Sequence, residues 1–262
     1  MKPRLVLAGT LVAGLVVLLM PTATAAAPAT TNIVITAVPS TTLIQTDTWF
    51  RVTGTVVHPN SPRILRLQQY MKRAWTNVGY AHMTTANTYK ILASENQIGT
   101  DFFRVAIFKR NNLPKPNAAP LVVSPAFSVS VATWTLLENW NSVDGESNTG
   151  QVEINGAYYN QSLSFESESG NTGNVGFNLG KRCYALKAVA GIDDNSPTDA
   201  LGEFTITTDG KTVFDGTLSF GQAAPISIDM SNVLRLELNV SFSDPNDEDY
   251  TMAYGNAEVF CS

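Results

Sequence analysis

The stretch Gly176–Asp194, GFNLGKRCYALKAVAGIDD, decides how the rest of the chain is read. Tyr184, Leu186, Ala188, Ala190 and Ile192 fall at every second position with Lys187 among the residues between them, the period of a strand with one apolar face. The run ends at Gly191 and an acidic pair, Asp193 and Asp194. It opens at Cys183, whose only possible partner in the chain is Cys261.

Strands surround it on both sides. Gln151-Val152-Glu153-Ile154 alternates and meets Asn155-Gly156, a favoured hairpin dipeptide; Phe204–Thr208 meets Lys211–Phe214 through Asp209-Gly210, the same device. Leu234–Phe242 alternates without fault, as a strand with one wet face must. Nothing helical of useful length appears, so residues 134–262 are expected to form a jelly-roll β-sandwich of about eight strands. Residues 30–132 read as another all-β unit: Trp49–Val57, Ile64–Tyr70, Trp75–Tyr80, Asp101–Phe108 and Phe127–Val131 are short β-branched and aromatic runs between turn residues. The Pro-rich segment Asn111–Pro120 cannot be a central strand and reads as a long loop. Trp134 and Leu136-Leu137 lie at the join, which is short enough to restrict the two halves.

The ends of the chain bear on compartment. Lys2 and Arg4 precede an uncharged apolar run, Leu5–Met20, and Ala23-Thr24-Ala25 forms a cleavage site, so residues 1–27 are read as a secretory signal peptide. The apolar run is shorter than the roughly 20 residues that span a bilayer, and the exported remainder is expected not to span a membrane. In an oxidising compartment two cysteines form one disulfide, closing a loop of about 79 residues; two buried thiols or a metal pair are the alternatives, with no His near either cysteine.

Charge divides the chain. Arg51, Arg63, Arg66, Lys72, Arg73, Lys90, Arg104, Lys109, Arg110 and Lys115 face Asp47, Glu95 and Asp101 between Pro28 and Thr135, a balance of +7; from Leu136 onward five basic residues face nineteen acids, a balance of −14. Such opposition lets the halves dock, or seats the basic half on an anionic wall or polymer. The basic residues are scattered through strand-like segments rather than gathered in a run, which argues against nucleic acid.

In order along residues 137–261, Trp140, Asn155-Gly156 with Tyr159, Phe177-x-Leu179-Gly180, Val189-Ala190-Gly191-Ile192-Asp193-Asp194, Phe204 leading to Asp209-Gly210-Lys211, and Gly255–Val259 before Cys261 resemble the NPCBM family of carbohydrate-binding modules, related to carbohydrate-binding module family 51. In the first half Val52-x-Gly54-x-Val56, Leu65-x-Leu67-Gln68, Trp75 with Val78, and Phe103-Arg104-Val105 resemble immunoglobulin-like or fibronectin-III-like modules of secreted bacterial proteins, with Trp75 as a core residue. The NPCBM resemblance implies a glycan or cell-surface polysaccharide as partner and a bridge between Cys183 and Cys261. Glu166 stands where the family carries a histidine, Tyr254 where it carries tryptophan, and Asn256 where it carries aspartate. A sugar needs an aromatic ring for its C–H face and planar polar groups for its hydroxyls, so Tyr254 as ring with Glu166 and Asn256 as hydrogen-bonding neighbours is the candidate site.

Acidic residues allow a structural calcium on Asp193 and Asp194, or on Asp244, Asp247, Glu248 and Asp249; a solvated acidic loop is the other reading. No other cofactor is expected. His58 and His82 read as loop histidines, and no His follows residue 82, which removes a Ser-His-Asp site from the second half. Glu166 and Glu168 are the one carboxylate pair a glycosidase could use. The expectation is a secreted, non-catalytic carbohydrate-binding protein; its rival is an adhesive or structural surface protein whose second module contacts protein.

Overall fold

The alternating runs form strands throughout the computed structural model, which describes residues 33–57, 64–108, 119–167, 172–242 and 250–262. The signal peptide, His58, Glu168 and the acidic cluster at 244–249 lie outside the described residues. In the first half the strands are β1 (Val34–Ile35), β2 (Val38–Pro39), β3 (Leu43–Gln45), β4 (Trp49–Val57), β5 (Ile64–Met71), β6 (Ala74–His82), β7 (Thr88–Ser94), β8 (Gly99–Phe108), β9 (Val122–Val123) and β10 (Phe127–Leu136). β4 pairs with β1 and β2 on one edge and β7 on the other; facing it, β10, β8, β5 and β6 lie in that order, with β3 parallel to β10. Val52, Val56 and Ile91 from one sheet meet Leu65, Leu67, Val105 and Ile107 from the other in a single buried core.

Trp75 is not in that core. Leu65 and Leu67 point inward, and so does Gln69, which donates to Glu95 at 2.7 Å. Alternation therefore turns Tyr70 outward, and Trp75, its partner across the β5–β6 hairpin, turns outward with it.

In the second half the strands are β11 (Ser142–Gly145), β12 (Asn148–Ile154), β13 (Ala157–Glu166), β14 (Thr172–Asn178), β15 (Cys183–Ile192), β16 (Leu201–Thr208), β17 (Lys211–Ser219), β18 (Ala223–Asp229), β19 (Arg235–Phe242) and β20 (Thr251–Cys261). One sheet runs β12-β13-β20-β15-β18 and the other β11-β14-β19-β16-β17. Without the outer pair β11 and β12, this is the two-Greek-key order of a jelly roll. Both expected hairpins are present, with Asn155-Gly156 and Asp209-Gly210 at positive φ in all four residues. Leu186, Ala188, Ala190 and Ile192 enter the core as the alternation requires, but Tyr184 does not: a bulge between Cys183 and Ala185 shifts the phase, so that Cys183 enters instead. The strands are joined by turns and loops, with a short 3-10 turn at Leu137–Asn139, and among the described residues no helix is long and apolar enough to cross a membrane.

No linker separates the halves. β10 pairs with β8 through Phe127–Val131 and then, without a break, with β20 through Thr133–Leu136. The join is clamped on its outer side: Lys187 pairs with Glu258 at 2.7 Å and sits 4.1 Å from the Trp134 ring, which packs on Phe260. Residues 33–262 accordingly form one compact unit.

Cys183 and Cys261 lie directly opposite in the β15–β20 ladder and are joined by a disulfide. Closing a loop of this length removes roughly 4–5 kcal/mol of unfolded-state entropy in the chain-entropy model. Urea unfolding of the Cys183→Ala/Cys261→Ala double variant is expected to show a loss of about 2–5 kcal/mol against the oxidised protein, and reduction with a thiol should lower the midpoint of the native protein in the same direction.

Candidate functional site

The three residues expected to form the site do not converge. Tyr254 is 0% exposed, its ring edge-on to Phe204 at 5.6 Å inside the jelly roll. Its hydroxyl donates to the Asn239 carbonyl at 2.9 Å and lies 3.2 Å from that of Thr205, so it ties β20 to the opposing sheet. Burial pushes its phenol pKa far above the ordinary value, and the ring presents no face to a ligand. Asn256 is exposed at a φ of 45°, and its Oδ1 accepts the Gln161 N–H at 3.3 Å. Glu166 is exposed at the far end of β13, opposite Thr251, whereas Asn256 follows Gly255, opposite Ser162. Those four residues of β13 separate the two side chains by roughly 13 Å.

Asp193 and Asp194, the expected calcium pair, are both engaged by N–H groups. Asp193 accepts the Glu153 N–H at 3.0 Å on one oxygen and both the backbone and side-chain N–H of Asn195 on the other. Asp194 accepts the N–H groups of Asn155 at 2.9 Å and Gly156 at 2.6 Å. The carboxylates thus pin the tip of the β12–β13 hairpin back onto β15. Close approach there requires small residues: a Cβ on Gly191 would overlap Ile154, and one on Gly255 would lie 2.6 Å from the Tyr159 ring. All four carboxylate oxygens already accept N–H donors, which leaves a poor fit for calcium, and no cluster of three or more His, Cys, Asp or Glu stands ready for a metal among the described residues.

Glu166 instead borders a cleft at the other end of the same hairpin. The cleft, about 300 Å³, is lined on its polar side by Glu146, Asn148, Ser164, Glu166, Thr172 and Asn174. Asn148 and Ser164 are opposed across β12–β13, and Asn148 Nδ2 donates to Glu166 Oε1 at 3.1 Å. The turn carrying Glu146 and Ser147 divides it from a second hollow of about 210 Å³, whose wall includes Trp140 and whose floor is Leu163, Val175 and Phe177. Arg235 steadies the approach to that turn, bonding Asp144 at 3.1 Å and Glu237 at 2.8 Å. The first cleft offers carboxylate, amide and hydroxyl groups and the second an apolar wall, with Glu146 common to both; these are the two kinds of contact a sugar ring needs. Sequence reading found Glu166 but missed Glu146, Asn148 and Asn174; the signal was the polar Glu146-Ser147-Asn148 between Gly145 and Gly150, a turn that folding places against β13 and β14.

The fold and the lateral cleft define a β-sandwich module with a small polar site at its edge. The NPCBM/NEW2 domain matches residues 126–259, and the chain belongs to that family. A Renibacterium salmoninarum protein named "Putative endo-alpha-N-acetylgalactosaminidase" is 24% identical over 157 residues; the match takes in 57% of this chain and 10% of that protein, so the chain spans about a tenth of its length. Among solved structures, the CBM51 module of a Clostridium perfringens GH95 protein in complex with methyl-galactose is 17% identical, covers 48% of this chain and 99% of that one, and superposes with a TM-score of 0.41. The CBM51-2 and INT domains of Clostridium perfringens ZmpB in complex with GlcNAc are 11% identical, cover 70% and 43% of the two chains, and give a TM-score of 0.40.

Two outcomes test these assignments. Tyr254→Phe should lower the unfolding free energy by about 1–2 kcal/mol by deleting the cross-sheet hydrogen bond, with no change in any glycan response. Asp193→Ala should cost about 1–3 kcal/mol by leaving the Glu153 and Asn195 N–H groups unpaired, and calcium or EDTA should leave the melting temperature of the native protein unmoved.

Proposed function

We propose that this is a secreted, non-catalytic carbohydrate-binding protein whose jelly roll takes a saccharide at the cleft bordered by Glu146 and Glu166. The observation that carries this reading is the row Glu146, Asn148, Glu166 and Asn174 in one cleft of a member of the NPCBM family, with Trp140 in the adjoining hollow that shares Glu146. Glu146 borders both hollows and is the group we assign to the sugar hydroxyls; Trp140 supplies the apolar contact. The first sandwich serves as an immunoglobulin-like support. Its β1/β2-β4-β7 sheet against β6-β5-β8-β10, with β3 parallel to β10, favours that reading. The disulfide and the apolar N-terminal run of the sequence support export.

The rival, an adhesive protein whose second module contacts protein, draws on one observation: the position that carries the ring in family members is filled and buried here by Tyr254. A glycan array separates the two. Binding is expected to neutral or amino-sugar glycans, and Glu146→Ala and Trp140→Ala should each reduce it at least tenfold with the unfolding midpoint preserved. An array without response from folded protein, or a response untouched by either substitution, would sink the cleft assignment.

A further inference from the structure

The outward face of β5, β6 and β8 carries the residues that the fold of the first half does not use. Leu65, Leu67, Val105 and Ile107 point inward, so Arg66, Gln68 and Tyr70 of β5, Trp75, Asn77 and Tyr80 of β6, and Phe102 and Arg104 of β8 share the other side. Tyr80 is 67%, Phe102 51% and Tyr70 45% exposed. Trp75 and Tyr70 pack at 5.3 Å, and Trp75 lies roughly 15 Å along β6 from Tyr80. The platform is therefore several rings long rather than one isolated contact.

Each end of the platform carries a guanidinium. Arg104 lies 4.2 Å from the Trp75 ring, and its Nε donates to Gln68 Oε1 at 2.9 Å; Gln68 in turn donates to Asn77 at 3.0 Å. That relay fixes the plane of Arg104 while its two terminal nitrogens make no hydrogen bond among the described residues. Arg66 lies 5.6 Å from the Tyr80 ring, and its Nε is buried without a partner among the described residues. Lys72 and Arg73, in the exposed β5–β6 turn, add charge beside Tyr70. All three acids of this half lie elsewhere. Glu95 accepts from Gln69 on the inner side, Asp101 shares the inner side with Val129, its partner in β10, and Asp47 sits in the turn between β3 and β4. Neither arginine has an ion-pair partner among the described residues.

We propose that this face is a second binding site, for an acidic polysaccharide bearing uronate carboxylates. The rings stack on the apolar faces of successive sugars, and the preoriented Arg104 fork receives a carboxylate bidentately, with Arg66 a second anion contact further along the platform. The charge balance of the halves, +7 against −14, confines such a polymer to this half. Nucleic acid is disfavoured because the named cations of this face, Arg66, Lys72, Arg73 and Arg104, form no basic run along it, and a peptide by the length of flat aromatic surface. The assignment does not rest on the cleft of the jelly roll.

Affinity electrophoresis of the full chain in gels containing polygalacturonate tests it, with dextran, poly-L-glutamate and duplex DNA as comparison polymers. Retardation is expected in polygalacturonate and at least tenfold weaker in each of the other three. Trp75→Ala and Arg104→Gln should each weaken it at least tenfold at an unchanged unfolding midpoint. Arg104→Lys, which keeps the charge but not the fork, should weaken it at least threefold. If Trp75→Ala does not fold, the more exposed Tyr80→Ser gives the same reading. No retardation in polygalacturonate, equal retardation in poly-L-glutamate or DNA, or full retention by the ring variants would overturn the proposal.

Discussion

The structure depends on the pairing of its last strand. β20 is buried along most of its length, and a buried strand must find partners for its N–H and C=O groups on both edges, because each unpaired group costs about 1–3 kcal/mol. β15 fills one edge throughout; the other is shared in turn by β13, opposite Thr251–Gly255, and by β10, opposite Glu258–Cys261. The second assignment carries a strand of the first sandwich into the second, so the two halves meet through backbone hydrogen bonds rather than through a tether. The Lys187–Glu258 pair over Trp134 and the disulfide at Cys261 reinforce this place, although an exposed ion pair by itself contributes at most about 1 kcal/mol.

A second constraint follows on the outer side of the same sheet. Gly191, Ala253 and Gly255 leave a shallow floor, onto which Ile154 and Tyr159 of the β12–β13 hairpin close. The acidic pair at the end of β15 holds the hairpin tip by its backbone N–H groups. The cleft lies at the opposite end of this hairpin, beside the Glu146 turn. A pinned hairpin gives that turn a rigid base, and rigid placement of polar groups lowers the entropy lost when a ligand orders them. The most recognisable motif of the family, Val189–Asp194, is therefore architectural in this chain. It sets where the cleft stands without touching what the cleft could hold.

Aromatic residues are distributed by the same logic. Tyr254 lies on the inward face of β20 and serves the core, where its hydroxyl finds carbonyls on β19 and β16. The rings on the outer face of β5, β6 and β8 have no such employment; they are held in place by arginine stacking and an amide relay instead. Rings and cations arranged without acids on a flat sheet are a surface formed at some cost in exposed apolar area, which singly scattered surface residues do not incur.

Strand periods, the two type I′ hairpin dipeptides and the pairing of the two cysteines were legible in the sequence, because each rests on contacts between neighbours or on a single possible partner. All-β architecture and the jelly roll follow from them. The site was less legible. Glu166 was singled out through the family resemblance and does border the cleft, whereas Tyr254, singled out in the same way, lies on the inward face of β20 between β13 and β15, where the sheet is dry. Glu146, Asn148 and Asn174 come from three separate stretches, and only the docking of the β11–β12 turn on β13 and β14 makes them neighbours. Trp75 likewise went from expected core to outer platform because alternation from Leu65 through Gln69 fixes the direction of Tyr70 and its cross-strand partner. The sequence by itself determined local periodicity, turn chemistry and which cysteines could join. Which face of each strand is dry, and which distant polar groups share a cleft, was decided only by tertiary pairing, since burial is a property of the neighbours a strand acquires and not of the residues it contains.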